Sequence, residues 1–98
     1  MRESQVEKYL VARVEAYGGT CEKFVSPSCR NVPDRLVCWA PTDPCGCPRV
    51  VFVECKATGK KPTPAQLRDH RRRQEMGFRV YVVDSYEAVD DFIKSEGF

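Results

Sequence analysis

The chain has 98 residues, 42% of them hydrophobic and 31% charged, with a formal net charge of +2. That length suits one compact domain with its own core, and the charged fraction excludes membrane-protein composition. So small a net charge announces no polyanionic partner, yet its distribution is uneven. Basic residues gather at Lys56, Lys60, Lys61, Arg68 and Arg71–Arg73, acidic ones at Asp84, Glu87, Asp90 and Asp91.

Residues 3–17 are predicted to be a helix, because Val6, Leu10, Val14 and Tyr17 recur at helical spacing before Gly18-Gly19 stops them. The charged start, MRESQVEKYL, carries no signal-peptide-like apolar segment, and no apolar run is long enough to span a bilayer. The expectation is a cytoplasmic protein, not secreted and without a membrane partner. Strands follow at 20–25, 34–40 and 49–56, separated by a Pro- and Ser-bearing loop and by the turn PTDPCGCP. Thr63-Pro64 opens a second helix that Gly77 closes. Phe78–Val83 is a fourth strand, and Ser85 caps a last helix near 86–94. The order αβββαβα predicts one α/β domain over 1–98. Three strands form an antiparallel meander, and the second helix crosses over so that the fourth joins in parallel.

Six cysteines, at 21, 29, 38, 45, 47 and 55, include no C-x-x-C pair, and the single histidine, His70, lies far downstream of Cys45-Gly46-Cys47. Structural zinc fits that spacing poorly, and reduced thiols are expected.

The chemistry concentrates at the end of the third strand, VVFVECK. Strand alternation puts Phe52, Glu54 and Lys56 on one face and Val53, Cys55 and Ala57 on the other. A Glu and a Lys at that spacing are, alone, most simply an exposed ion pair. Asp34 alters that reading. Pairing Ala40 with Arg49 across the turn sets Asp34 opposite about Cys55, roughly one residue from Glu54. Two converging carboxylates repel unless protonated or bridged by a cation, and hard oxygen donors suit Mg²⁺ or Mn²⁺.

Pro33-Asp34 followed by Glu54-Cys55-Lys56 resembles the PD-(D/E)xK motif of the restriction-endonuclease-like superfamily. Over essentially the whole chain, KFVSP…NVPDRLV…VFVECKATGKKPTPAQ…GFRVYVVDS is similar to the VRR-NUC family. That family includes small bacteriophage proteins and the C-terminal domain of the Fanconi-associated nuclease. The resemblance implies a restriction-endonuclease-like αβββαβ(α) core, a small mixed sheet flanked by helices. It implies a Mg²⁺- or Mn²⁺-dependent DNA endonuclease with no small-molecule cofactor. Stand-alone members are similar to dimeric Holliday-junction resolvases, so four-way DNA junctions and a homodimer are the implied partners. The sequence does not show that interface; apolar residues a small core does not need, such as Trp39 or Phe98, are candidates for it.

Carried over residue by residue, the resemblance makes Asp34 the central metal ligand and Glu54 the second, with the Cys55 backbone carbonyl as another. Lys56 orients the attacking water and stabilises phosphate charge. Gln66, in the first turn of the second helix, reaches the site. Glu7 completes the metal shell, because Glu7-Lys8-Tyr9-Leu10 is similar to the resolvases' helix pattern. Glu3, one turn earlier on the same face, stays open, and a solvated helix acid is the plainer account of either.

Lys60, Lys61, Arg68 and Arg72 are the expected DNA contacts, which would give affinity without sequence readout. The plainer account is a solvated face, and Arg71–Arg73 cannot all point one way. His70, one turn after Gln66, is a further DNA-contact candidate, although a lone helix histidine is commonly a surface or packing residue. The Pro27-Ser28-Cys29-Arg30-Asn31 loop departs from the family's glycine or arginine pattern. Two alternatives stand beside the junction resolvase: a flap, nick or nonspecific nuclease, and a non-catalytic nucleic-acid-binding module.

Overall fold

A computed structural model of the chain describes residues 1–41, 44 and 46–98. The helix α1 (Glu3–Ala16) leads into the strands β1 (Thr20–Lys23), β2 (Arg35–Trp39) and β3 (Arg49–Cys55). The helix α2 (Pro64–Glu75), the strand β4 (Arg79–Val83) and the helix α3 (Tyr86–Ser95) complete the chain. The sheet runs β1-β2-β3-β4; the first two pairings are antiparallel and β3–β4 is parallel. Element order and topology match the expectation, with boundaries moved by one or two residues. No helix among the described residues is long and apolar enough to cross a membrane. Cys21, Cys29, Cys38 and Cys55 are free thiols. Cys45 lies outside the described residues, and with it half of the Cys45/Cys47 pair, as do Thr42 and Asp43 of the same turn.

The register of β2 on β3 differs by one residue from that read off the sequence. Trp39, not Ala40, stands opposite Arg49, and Arg35 stands opposite Val53. Val50–Val53 is apolar on both faces, so alternation alone does not pin the pairing of β3. Carried one step past Arg35, the observed register sets Asp34 opposite Glu54 rather than Cys55.

The two faces of the sheet are covered by different physics. On one, Val37 and Trp39 of β2, Val51, Val53 and Cys55 of β3 and Val83 of β4 meet α1 and α3. Helix α1 contributes Val6, Leu10 and Val14, four residues apart on one face and without exposed surface. Helix α3 contributes Val89, Phe92 and Ile93, and Tyr9 donates a 2.8 Å hydrogen bond to Asp90 between the two helices. Of the two interface candidates, Trp39 is taken up by the core, while Phe98 is half-buried against it. Trp39 is buried, and its ring lies 5.8 Å from Phe92 and 4.9 Å from Phe98, inside the core of a single chain.

On the other face, Phe52 packs tilted against Phe24 and edge-on against Phe78, at ring distances of 5.6 and 5.4 Å. Helix α2 docks here, and its buried residues are Asp69 and His70. Arg73 lays its guanidinium over the rings of Phe24 and Phe52 at 5.3 and 4.8 Å. Asp69 accepts hydrogen bonds from Arg72 and Arg73 at 2.8 and 2.9 Å. A cation on two aromatic rings, tied to a buried carboxylate, does what an apolar stripe does for the other helices.

The turn from α1 into β1 is close-packed. Gly19 lies against Trp39, and a Cβ there would fall 2.5 Å from the indole Nε1 and 2.9 Å from the Cys38 carbonyl oxygen. The neighbouring backbone of β2 cannot yield without disturbing the sheet. Gly19→Ala is therefore expected to lower unfolding free energy by about 1–3 kcal/mol, the usual cost of overpacking. Urea titration would measure it as a lower midpoint at unchanged slope.

Candidate active site

The end of β3 carries Glu54 with 1% of its surface exposed. Beyond it, the Lys56 N–H donates to the Val83 carbonyl, extending the parallel ladder and holding Lys56 against the sheet. Its ammonium lies 3.8 Å from Glu54 Oε2. Asp34 is fixed at both ends. Its carbonyl accepts from the Phe24 N–H at 2.8 Å, and its Oδ2 accepts from the Cys55 N–H at 2.8 Å. The carboxylate thus continues the β2–β3 ladder where the strand stops. Cross-strand neighbours share a face, so Asp34, Glu54 and Lys56 converge at one corner of the sheet.

That corner disfavours an isolated Glu54 anion. Burial, then the hydrogen bond and charge of Asp34, push the Glu54 carboxyl up to about 8, against the opposing pull of Lys56. Glu3 adds a smaller push, and its own carboxyl is raised by partial burial, then by Asp34 and Glu7. Glu7 is committed elsewhere: its Oε2 accepts from Arg35 Nη2 at 2.9 Å. Arg35 shares its strand face with Val37, so this pair lies on the α1 side of the sheet. Glu3 is coupled to both Asp34 and Glu54, while the Glu7 carboxylate is paired with Arg35.

Cys55 gives its N–H to Asp34 and its thiol to the core, where burial raises the thiol well above its ordinary value. Such a thiol is a packing group, as strand alternation predicts. Gln66 is engaged in a capping box. Its N–H donates to Thr63 Oγ1 at 3.1 Å, and its Oε1 accepts from the Thr63 N–H at 2.9 Å.

The basic residues divide. Lys60, Lys61 and Arg68 are exposed, while Arg72 is paired with Asp69 though 58% of its side chain remains accessible. Arg68 and Arg72 form one wall of a groove whose other wall is Cys29, Arg30 and Asn31. Arg30 was not among the expected contacts, because nothing in the sequence says the 26–33 loop folds toward α2.

The residue the sequence undervalued is His70. It is 4% exposed, and its Nε2 lies 3.5 Å from Glu54 Oε1. Both atoms are buried, and neither has a hydrogen-bond partner among the described residues. Burial, first among the causes, holds the imidazole below its ordinary value. Its i+4 spacing from Gln66 was the available signal, but it says nothing of depth.

The donor set fits a hydrated divalent cation. Two carboxylates meet in a setting that penalises their negative charge, and buried Glu54 Oε1 has no partner. Among the described residues no three His, Cys, Asp or Glu side chains form a ready cage. Mg²⁺ commonly uses one or two carboxylates and keeps several waters, so two suffice.

Comparison with known proteins bears on the chain as a whole. No family model matches the chain. "Putative nuclease p44" of Acyrthosiphon pisum secondary endosymbiont phage 1 is 51% identical over 87 residues, 89% of this chain and 87% of that protein. A solved structure described as a VRR_NUC domain is similar at a TM-score of 0.78 and 39% identity, over 94% of each chain. With the αβββαβα order, the mixed sheet and Asp34, Glu54 and Lys56 at its corner, these likenesses place the chain in the VRR-NUC family of restriction-endonuclease-like nucleases.

Proposed function

We propose that the chain is a divalent-metal-dependent endodeoxyribonuclease, with Asp34, Glu54 and Lys56 as its catalytic residues. The carrying observation is the convergence of Asp34 and Glu54, with the Lys56 ammonium 3.8 Å from Glu54 Oε2. Asp34 and Glu54, with the Cys55 carbonyl and a glutamate of α1, would hold Mg²⁺ or Mn²⁺, which activates water and offsets charge on the phosphate. Lys56 points its ammonium to the same corner, where it orients the attacking water and stabilises the pentavalent phosphate. Glu3 is the helix acid we assign, because its charge is felt at Glu54 while Glu7 is held by Arg35. Gln66 is proposed to reach the same site, which requires its side chain to leave the Thr63 cap.

Lys60, Lys61, Arg68 and Arg72 are the proposed phosphate contacts, with Arg30 added from across the groove. Phosphate contacts give affinity without sequence readout, and the substrate we propose is a branched DNA cut by a homodimer, whose two sites would serve symmetric junction cleavage. A flap or nonspecific nuclease uses the same site and remains the second reading, since the groove's arginines distinguish no branch geometry.

Asp34→Asn and Lys56→Ala are each expected to lower Mn²⁺-supported cleavage by a factor on the order of 10²–10³, without loss of fold. Comparison of four-way junctions, flaps and duplexes with the wild type separates the substrates. Equal cutting of all three removes the junction assignment, and no cutting with any divalent cation removes catalysis.

Glu3→Gln is expected to weaken Mn²⁺ binding roughly tenfold or more, by analogy with other lost ligand-shell partners. Glu7→Gln should chiefly lower stability through Arg35. Calorimetric titration of both variants decides, and the opposite pattern assigns the ligand to Glu7.

The Glu54 carboxyl, raised to about 8 when folded, sets a pH dependence in chelator. The folded state holds a proton that the unfolded chain releases near the ordinary carboxylate value. Stability from this group is therefore complete below about 4, and falls as pH rises through about 8. Metal-free wild type should lose stability across that window in urea titrations, while Glu54→Gln should not. Mn²⁺ affinity should rise over the same window, because binding displaces the proton.

A further inference from the structure

We infer that His70 is a positioning residue for Glu54: its imidazole Nε2–H holds Glu54 Oε1 and leaves Oε2 facing Lys56 and the reaction. The inference rests on the proposed reading of Glu54 as a metal ligand.

The two oxygens of Glu54 are not equivalent. Oε2 lies 3.8 Å from the Lys56 ammonium, whereas Oε1 lies 3.5 Å from His70 Nε2. Oε1 and Nε2 are both buried, and neither has a hydrogen-bond partner among the described residues. An unmade bond at a buried polar atom is costly, so two such atoms side by side are a pair waiting to close. The present separation is long for a hydrogen bond. Contacts of this kind often tighten only when substrate and cation arrive. An imidazole with its proton on Nε2 can donate whatever its charge.

The rest of α2 fixes where His70 points. Arg73, three residues on and on the same helix face, rests on Phe52 at 4.8 Å. Phe52 is two residues before Glu54 on the same strand face. His70–Glu54 and Arg73–Phe52 are thus successive steps of one helix-to-strand register. Asp69 holds Arg73 in place at 2.9 Å. A free carboxylate can rotate and offer either oxygen or both. A donor fixed on Oε1 removes that freedom, as the outer partners of metal-binding carboxylates do.

The chain's own geometry chooses the substitutions. A glutamine amide nitrogen reaches where Nε2 stands, an asparagine reaches only as far as Nδ1, and leucine fills the space without donating. Mn²⁺ binding, followed by calorimetry on folded protein, should weaken 10–100-fold in His70→Leu and His70→Asn and return to within about threefold in His70→Gln. Metal-saturated cleavage should fall in the same order, with His70→Gln close to the wild type. In metal-free protein, ¹⁵N spectra should show His70 protonated on Nε2, with a resonance that moves in Glu54→Gln. A folded His70→Leu with wild-type Mn²⁺ affinity overturns the inference. So does His70→Gln as impaired as His70→Leu, or a proton on Nδ1 alone. If the wild type binds no divalent cation, the nuclease reading fails, and the ¹⁵N spectra still decide whether His70 holds Glu54.

Discussion

A carboxylate buried at the end of a β-strand is the constraint around which this domain is organised. Glu54 is 1% exposed, next to a second carboxylate, and water does little to stabilise its charge. Two neighbours supply the compensation in part, against the opposing charge of Asp34. Lys56 offers charge, and His70 stands against the remaining oxygen. The compensation is incomplete, and the metal-ion reading proposed for this corner rests on that shortfall. A site whose charges were fully matched by protein groups would have less to gain from metal.

The two faces of the sheet divide the labour of holding that corner. The α1–α3 face is an ordinary apolar core, and it fixes β3 so that Glu54 arrives at a defined height. The α2 face is held by arginine on phenylalanine and by aspartate on arginine. This polar docking is specific in rotation as well as position. An apolar stripe tolerates small rotations of a helix, whereas a guanidinium bonded to Asp69 and resting on two rings does not.

The fold was legible because its punctuation is strong. Gly18-Gly19, Thr63-Pro64, Gly77 and Ser85 mark the ends of helices by conformational necessity, and the alternating strands lie between them. Asp34, Glu54 and Lys56 were legible too, from strand alternation and a hairpin. What escaped was whatever depends on register or depth. The β2–β3 pairing was one residue off because Val50–Val53 is apolar on both faces. Gln66 illustrates a signal with two meanings, since the same Thr63-x-x-Gln66 spacing makes a capping box. His70 sits in a strongly polar helix, where periodicity gives no hint that one side is buried. Trp39 looked surplus to a small core because the core's width is set by α3, whose packing on β2 the sequence does not display.

The way α2 is attached has a consequence for how the molecule comes apart. Guanidinium ion is the very group that Arg73 presents to Phe24, Phe52 and Asp69, so as a denaturant it competes for each of those partners and screens the pairs as salt. Urea is uncharged and competes for them far less. The helix bearing His70 is therefore the part of the domain most exposed to local opening in guanidinium, ahead of the apolar face. The two denaturants would then report different orders of events in one small protein: the corner dissolving before the core in one, and both yielding together in the other.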